Sequence, residues 1–122
     1  MTDSYQRGWA LRYLREARAE FSAAQKTPYM APSLVLEAVR KAQAAIYYSF
    51  GDPAVVEAIV NEALLGKQPV KDPVLRCLVE IERTVREVSQ TSEEDRAVAI
   101  DEVGKLLIVA SDIVELLTGE KA

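Results

Sequence analysis

Histidine is absent from this 122-residue chain, and cysteine occurs once, at position 77. The first absence removes an imidazole base, a histidine metal ligand and any Ser-His-Asp relay. It also excludes the carboxylate-bridged di-iron centres of helical bundles, which need a Glu-x-x-His from each of two helices. A lone cysteine makes no intramolecular disulfide, and Met1 to Arg18 carries charge in place of an apolar signal stretch, so the expected setting is cytoplasmic. Cys77 itself, between Arg76 and Leu78 in an apolar helical pattern, is expected to be an inert buried thiol. The five glycines, at 8, 51, 66, 104 and 119, stand singly and build no phosphate-cradling loop. The longest aliphatic run, Leu106-Leu107-Ile108-Val109-Ala110, is far short of the roughly 20 residues that span a membrane. No membrane association and no cofactor are expected.

Aromatic residues are missing from everything beyond residue 50. All eight lie before it: Tyr5, Trp9, Tyr13, Phe21, Tyr29, Tyr47, Tyr48 and Phe50. The same stretch carries Arg7, Arg12, Arg15, Arg18, Lys26, Arg40 and Lys41 against Asp3, Glu16, Glu20 and Glu37. The remainder is acidic and aliphatic, so recognition chemistry is expected in the first half. With 49% hydrophobic residues and a net charge of −4, the chain reads as one folded domain over residues 1–122.

The periodicity is helical throughout, with no alternating strand pattern. A first helix is expected over Ser4 to Gln25, with Tyr5, Trp9, Tyr13, Ala17, Phe21 and Ala24 along one face. Two prolines break it between Thr27 and Pro32. A second helix follows from an N-cap at Ser33 to about Phe50. Asp52-Pro53 and Asp72-Pro73 each supply a capping carboxylate followed by proline at the first helical position, opening a third helix to Leu65 and a fourth to Ser89. Thr91-Ser92-Glu93-Glu94 resembles a capping box for a fifth helix ending at Gly119. Val74, Leu78, Ile81, Val85 and Val88 on the fourth helix, and Ile100, Val103, Leu107, Ala110, Val114 and Leu117 on the fifth, repeat at steps of three and four. Short connections between such helices predict an all-α fold, an antiparallel up-and-down bundle of four to five helices.

Several residues invite a chemical reading. Glu16 and Glu20 are one turn apart, as paired catalytic carboxylates are, but sit at the edge of the apolar stripe, where solvated carboxylates are common. Glu93-Glu94-Asp95 is better read as acids complementing a helix dipole than as a metal site. On the helical wheel Arg7, Arg12, Arg15 and Arg18 fall on one side of the first helix. That face reads first as salt-bridged and solvated, and alternatively as a nucleotide or RNA surface completed by Arg40, Tyr47 and Tyr48. The acidic balance, with a pI near 4.9, argues against nucleic acid. Tyr47 and Tyr48 diverge by about 100°, so both cannot face one core. Surplus aliphatic surface on the third helix (Val56, Ile59, Val60) and on the fifth (Ile108, Val109) points to a homodimer interface or to burial of the third helix at the centre. Gly104, inside a strong helix, marks a close helix–helix approach.

The run Tyr13-Leu14-Arg15-Glu16-Ala17-Arg18-Ala19-Glu20, followed by Leu36-Glu37-Ala38-Val39-Arg40-Lys41-Ala42-Gln43-Ala44-Ala45-Ile46, resembles the first two helices of HEPN-like proteins and their small archaeal helical relatives. The resemblance covers roughly residues 8–50. It implies an antiparallel bundle of four or five helices, commonly dimeric. It also implies either an RNase motif, in which an arginine precedes a histidine by four to six residues, or nucleotide binding, or partnership with a nucleotidyltransferase. Arg76, Arg83 and Arg96 are followed by no histidine, so the RNase motif is missing. A non-enzymatic interaction module that dimerises and binds a protein partner is the resulting expectation, with a nucleotide- or RNA-binding domain lacking RNase activity as the alternative.

Overall fold

The computed structural model describes residues 3–27, 31–66, 69–90 and 96–121, and among these every regular element is a helix. Five are formed: α1 (Ser4–Lys26), α2 (Ala31–Phe50), α3 (Pro53–Leu65), α4 (Pro73–Ser89) and α5 (Arg96–Thr118). Their starts follow from capping chemistry. The Asp3 carboxylate accepts from the Gln6 amide at 2.8 Å, Asp52 from Ala54 at 2.9 Å, and Asp72 from Val74 and Leu75 at 2.8 and 3.2 Å. Each satisfies amides that a helix N-terminus leaves unpaired. α5 ends at Gly119, whose φ of +75° is a left-handed conformation that glycine adopts without strain.

One boundary departs from expectation. α2 begins at Ala31, so Pro32 lies in its first turn and Ser33 is inside the helix rather than capping it. Proline is tolerated there because a first-turn amide has no intrahelical acceptor to lose. The suggested capping box at 91–94, the acids at 93–95 and Tyr29 lie outside the described residues.

α2 is the central helix, packed against all four others, with its most extensive contact to α1. Contacts along the seam fix direction. Trp9 meets Tyr48 and Glu20 meets Lys41, so α1 and α2 are antiparallel. Arg7 meets Glu120, and Phe21 lies against Gly104, so α1 and α5 are antiparallel as well. A Cβ at Gly104 would sit 3.4 Å from the Phe21 ring, an ordinary contact with a side chain rather than the close helix–helix approach expected of that glycine.

The α1–α2 seam is lined by alanine. Ala10, Ala17 and Ala24 on one helix and Ala31, Ala38 and Ala45 on the other recur at intervals of seven, and none is more than 2% exposed. A period of seven keeps small residues on one seam between two helices, and methyl groups let the backbones approach closely. The buried face of α1 therefore runs through Ala10, Leu14, Ala17 and Ala24. Tyr5, Trp9 and Tyr13, expected on it, are displaced to its α2 flank, where Tyr5 is exposed and the other two half-buried. Leu14, Val39, Ile46, Val60, Val103 and Val114 complete the core. α3, by contrast, packs chiefly against α2 and α4 and is not central.

Candidate functional site

The residues proposed from sequence as a ligand-binding set divide among different faces of the bundle. Arg12 lies over the Trp9 ring, its guanidinium carbon 5.0 Å from the centroid. Its Nε also donates to Glu16 Oε2 at 3.1 Å. Tyr48, from the last turn of α2, joins this group, with ring centroids 6.3 Å from Trp9 and 5.8 Å from Tyr13. Arg15 is exposed on the outer side of α1. Arg18 belongs to neither face: its Nη2 donates at 2.7 Å to Ser111 Oγ of α5, which in turn donates to the Leu107 carbonyl. Arg7 reaches Glu120 at 3.9 Å, so both arginines brace α1 against α5.

Arg40 and Tyr47 lie on the opposite flank of α2. They line a groove of about 380 Å³ with Gln43 and with Pro53 and Glu57 of α3 and Glu82 of α4. The divergence of Tyr47 from Tyr48 is the one expected of adjacent helical positions. Gln43 Nε2 donates to the Tyr47 hydroxyl at 3.1 Å and to Glu82 Oε1 at 2.7 Å. Glu82 Oε2 accepts from Arg86 Nε at 2.8 Å. Burial pushes the Tyr47 hydroxyl up to about 12, and the neighbouring Glu82 carboxylate adds to the effect. Such a phenol stays neutral and can donate, but it is no base at physiological pH.

Glu16 and Glu20, read as solvated carboxylates, turn out to be half-buried struts between α1 and α2. Lys41 Nζ donates to Oε1 of both, at 3.2 Å for Glu16, and Glu37 Oε2 lies 4.0 Å away. The Lys41 hydrogen bond holds the Glu16 carboxyl below its ordinary range, and the Glu20 carboxylate raises the Lys41 ammonium. Glu20 Oε2 is buried with no hydrogen-bond partner among the described residues.

The suggested dimer residues also separate. Val60 and Val56 are buried and serve the core of the chain itself, so they offer no surface. Ile59, Ile108 and Val109 are exposed, Ile108 at 65%. Sequence reasoning missed Val98 and Leu116, which are 62% and 82% exposed on α5. Val98, Val109 and Leu116 follow steps of eleven and seven, which return a helix to nearly the same face; that spacing was the signal available. Beside them a shallow groove of about 220 Å³ runs between α4 and α5, floored by Ile81 and Leu106. Cys77, expected to be buried, is exposed on its wall. The α4 stripe turns Leu78, Ile81 and Val85 inward, which leaves position 77 on the flank.

Among the described residues no cluster of three or more His, Cys, Asp or Glu is placed to hold a metal ion. No described helix is long and apolar enough to cross a membrane. No protein-family model, no curated protein and no solved structure matches the chain.

Proposed function

We propose that this chain is a non-catalytic helical-bundle module that self-associates and holds a protein partner. The supporting observation is the row of exposed aliphatic side chains Val98, Val109 and Leu116 beside the α4–α5 groove. Full burial of one such side chain contributes about 1.5–3 kcal/mol. In a two-fold dimer six are covered, a gross gain of roughly 9–18 kcal/mol against an association cost of about 4–15 kcal/mol. A micromolar dimer needs a net gain of about 8 kcal/mol, which lies inside the range that these two figures leave. Glu80, Glu102 and Lys105 give the groove the polar rim of an exchangeable interface.

The HEPN-like resemblance implies the same assembly, a commonly dimeric bundle, and this chain departs from it in lacking the RNase motif. A cytoplasmic setting and a partner of the nucleotidyltransferase class belong to this proposal. The nucleotide- or RNA-binding reading is weakened by geometry, since Arg12, Arg18 and Arg40 face different neighbours.

Sedimentation velocity from about 1 to 100 µM tests the dimer. The wild-type mass is expected to double over this range. A Val109→Asp, Leu116→Asp double variant should remain monomeric with unchanged helicity. A monomeric wild type throughout, or a double variant that still dimerises, overturns the interface.

A further inference from the structure

The groove beside Tyr47 holds polar groups that the fold itself leaves unused. It opens between α2, α3 and α4 and measures about 380 Å³, within the roughly 300–1,000 Å³ of small-molecule sites. Arg40, Gln43 and Tyr47 are spaced by three and four along α2, so they share the face that lines it. Glu57 reaches it from α3 and Glu82 from α4.

Glu82 is fully committed. One oxygen accepts from Gln43 Nε2 at 2.7 Å and the other from Arg86 Nε at 2.8 Å. Gln43 Nε2 also donates to the Tyr47 hydroxyl at 3.1 Å. These contacts fix the amide orientation, because a carbonyl turned towards the Glu82 carboxylate would find no proton there. Four groups are left over. The Tyr47 residue is only 6% exposed, yet its hydroxyl proton meets no acceptor among the described residues. A phenol is donor as well as acceptor, so Tyr47 is buried half satisfied. With the hydroxyl pushed up to about 12, that proton stays in place at neutral pH. Gln43 Oε1 likewise accepts from no described donor. Arg40 and Glu57, of opposite charge, both line the groove, and neither makes an ion pair among the described residues.

We infer that this groove binds a free α-amino acid with a neutral side chain. The ligand carboxylate accepts from the Arg40 guanidinium and the Tyr47 hydroxyl, and the ligand ammonium donates to Glu57 and Gln43 Oε1. Charge decides for a zwitterion over a single ion. Arg40 and Arg86 balance Glu57 and Glu82 around the groove. An anion alone would cover Glu57 without a partner, a cation alone would do the same to Arg40, and an unpaired covered charge is costly. A zwitterion pairs both. Its main-chain groups use up the two free charges, so its side chain is neutral, and Ala44, Pro53 and Ala54 offer that side chain small apolar contacts. The site is separate from the α4–α5 groove and needs no self-association.

Valine is the probe. Two-dimensional amide NMR of the full, isotope-labelled chain is followed on titration with L-valine, with isovalerate, which lacks the ammonium group, and with isobutylamine, which lacks the carboxylate. The Gln43 side-chain amide reports from inside the groove. It is expected to shift saturably with valine at a Kd of roughly 0.1–5 mM, and each analogue should bind about tenfold more weakly. Arg40→Gln and Glu57→Gln alter exposed side chains, keep the fold and should each weaken valine about fivefold. Glu57→Gln should also bring valine and isovalerate to nearly equal affinity, which a merely structural effect does not do. No saturable shift up to about 50 mM valine, binding of either analogue as tight as valine, or valine binding unchanged by both substitutions would each overturn the inference. The sedimentation result is unaffected by any of these outcomes, so failure of the groove and failure of the dimer are told apart.

Discussion

Replacing Ala17 by leucine tests whether the α1–α2 seam is as tight as its alanine heptads imply. Ala17 is fully buried. The pairing of Glu20 with Lys41 and of Trp9 with Tyr48 sets it level with positions 40–44 of α2, where Ala42 is also fully buried. Leucine adds three carbons to a layer of methyl groups, so α1 must move off α2 or the new side chain must leave its rotamer well. Overpacking of this kind costs about 1–3 kcal/mol. For a two-state domain of this length, at roughly 4 °C per kcal/mol, the melting temperature should fall by about 4–12 °C. Ala19→Leu, on the exposed side of the same helix, is the control and should stay within about 0.5 kcal/mol of wild type. Thermal and urea melts are followed by far-ultraviolet circular dichroism, with Trp9 emission recorded in parallel. Emission should change in Ala17→Leu before unfolding, because widening the seam separates Trp9 from Tyr48. Equal stability of the two leucine variants would refute the close approach of the helices.

Other perturbations follow from the polar networks. In a spectroscopic pH titration one tyrosine should ionise near 12, and Tyr47→Phe should remove that late step. Because the folded value lies above the ordinary 10, the associated stability is present below pH 10 and is lost between about pH 10 and 12. The Glu16 carboxyl is held below its ordinary 4.5, so its contribution is present above that value and is lost as pH falls through the lower folded value. Lys41→Met should therefore be less stable at neutral pH and show a flatter acid limb when melting temperature is measured against pH. Exposed Cys77 should alkylate in the native protein without denaturant. The rate should fall as protein concentration rises if the α4–α5 side is covered in the dimer, and a concentration-independent rate would count against that interface.

Helix boundaries were legible where the sequence carries their mechanism. Asp52-Pro53 and Asp72-Pro73 cap α3 and α4 as their chemistry demands, and the α5 stripe through Val103, Leu107, Ala110 and Val114 is the buried one. The inward face of α1 was harder to read. Large aromatic side chains dominate a hydrophobicity pattern, yet the seam selects for smallness, and the alanines at 10, 17 and 24 won that face by size. Trp9 and Tyr13 were left to the rim. The candidate site was legible by residue type but not by grouping. A single-helix wheel shows that Tyr47 and Tyr48 diverge, but not that one meets α4 while the other meets α1. Nor does it show that Arg18 finds Ser111, 93 positions away. Such pairings depend on helix order in space, which local periodicity does not encode.

The disposition of arginine supports the proposed protein partner over a nucleic acid. A nucleic-acid surface gathers uncommitted cations on one face, because each phosphate contact needs a charge free to replace a counterion. In this chain Arg7 and Arg18 brace α1 against α5, Arg12 is held by Glu16 and Trp9, and Arg83 and Arg86 pair with Glu80 and Glu82. Among the arginines with described side chains, Arg15, Arg40 and Arg76 make no ion pair. They stand on α1, α2 and α4 respectively. Three helices holding one such arginine each do not form a phosphate track. Exposed apolar or aromatic side chains stand instead at Val98, Val109 and Leu116 on α5, with Glu102 and Lys105 between the first two, and in the Tyr5–Trp9–Tyr13–Tyr48 group. Surfaces of that composition gain free energy by excluding water against another protein, and they gain little from a polyanion. The two lie on different sets of helices, α5 with α4 and α1 with α2, so the proposed self-association through the first leaves the second uncovered.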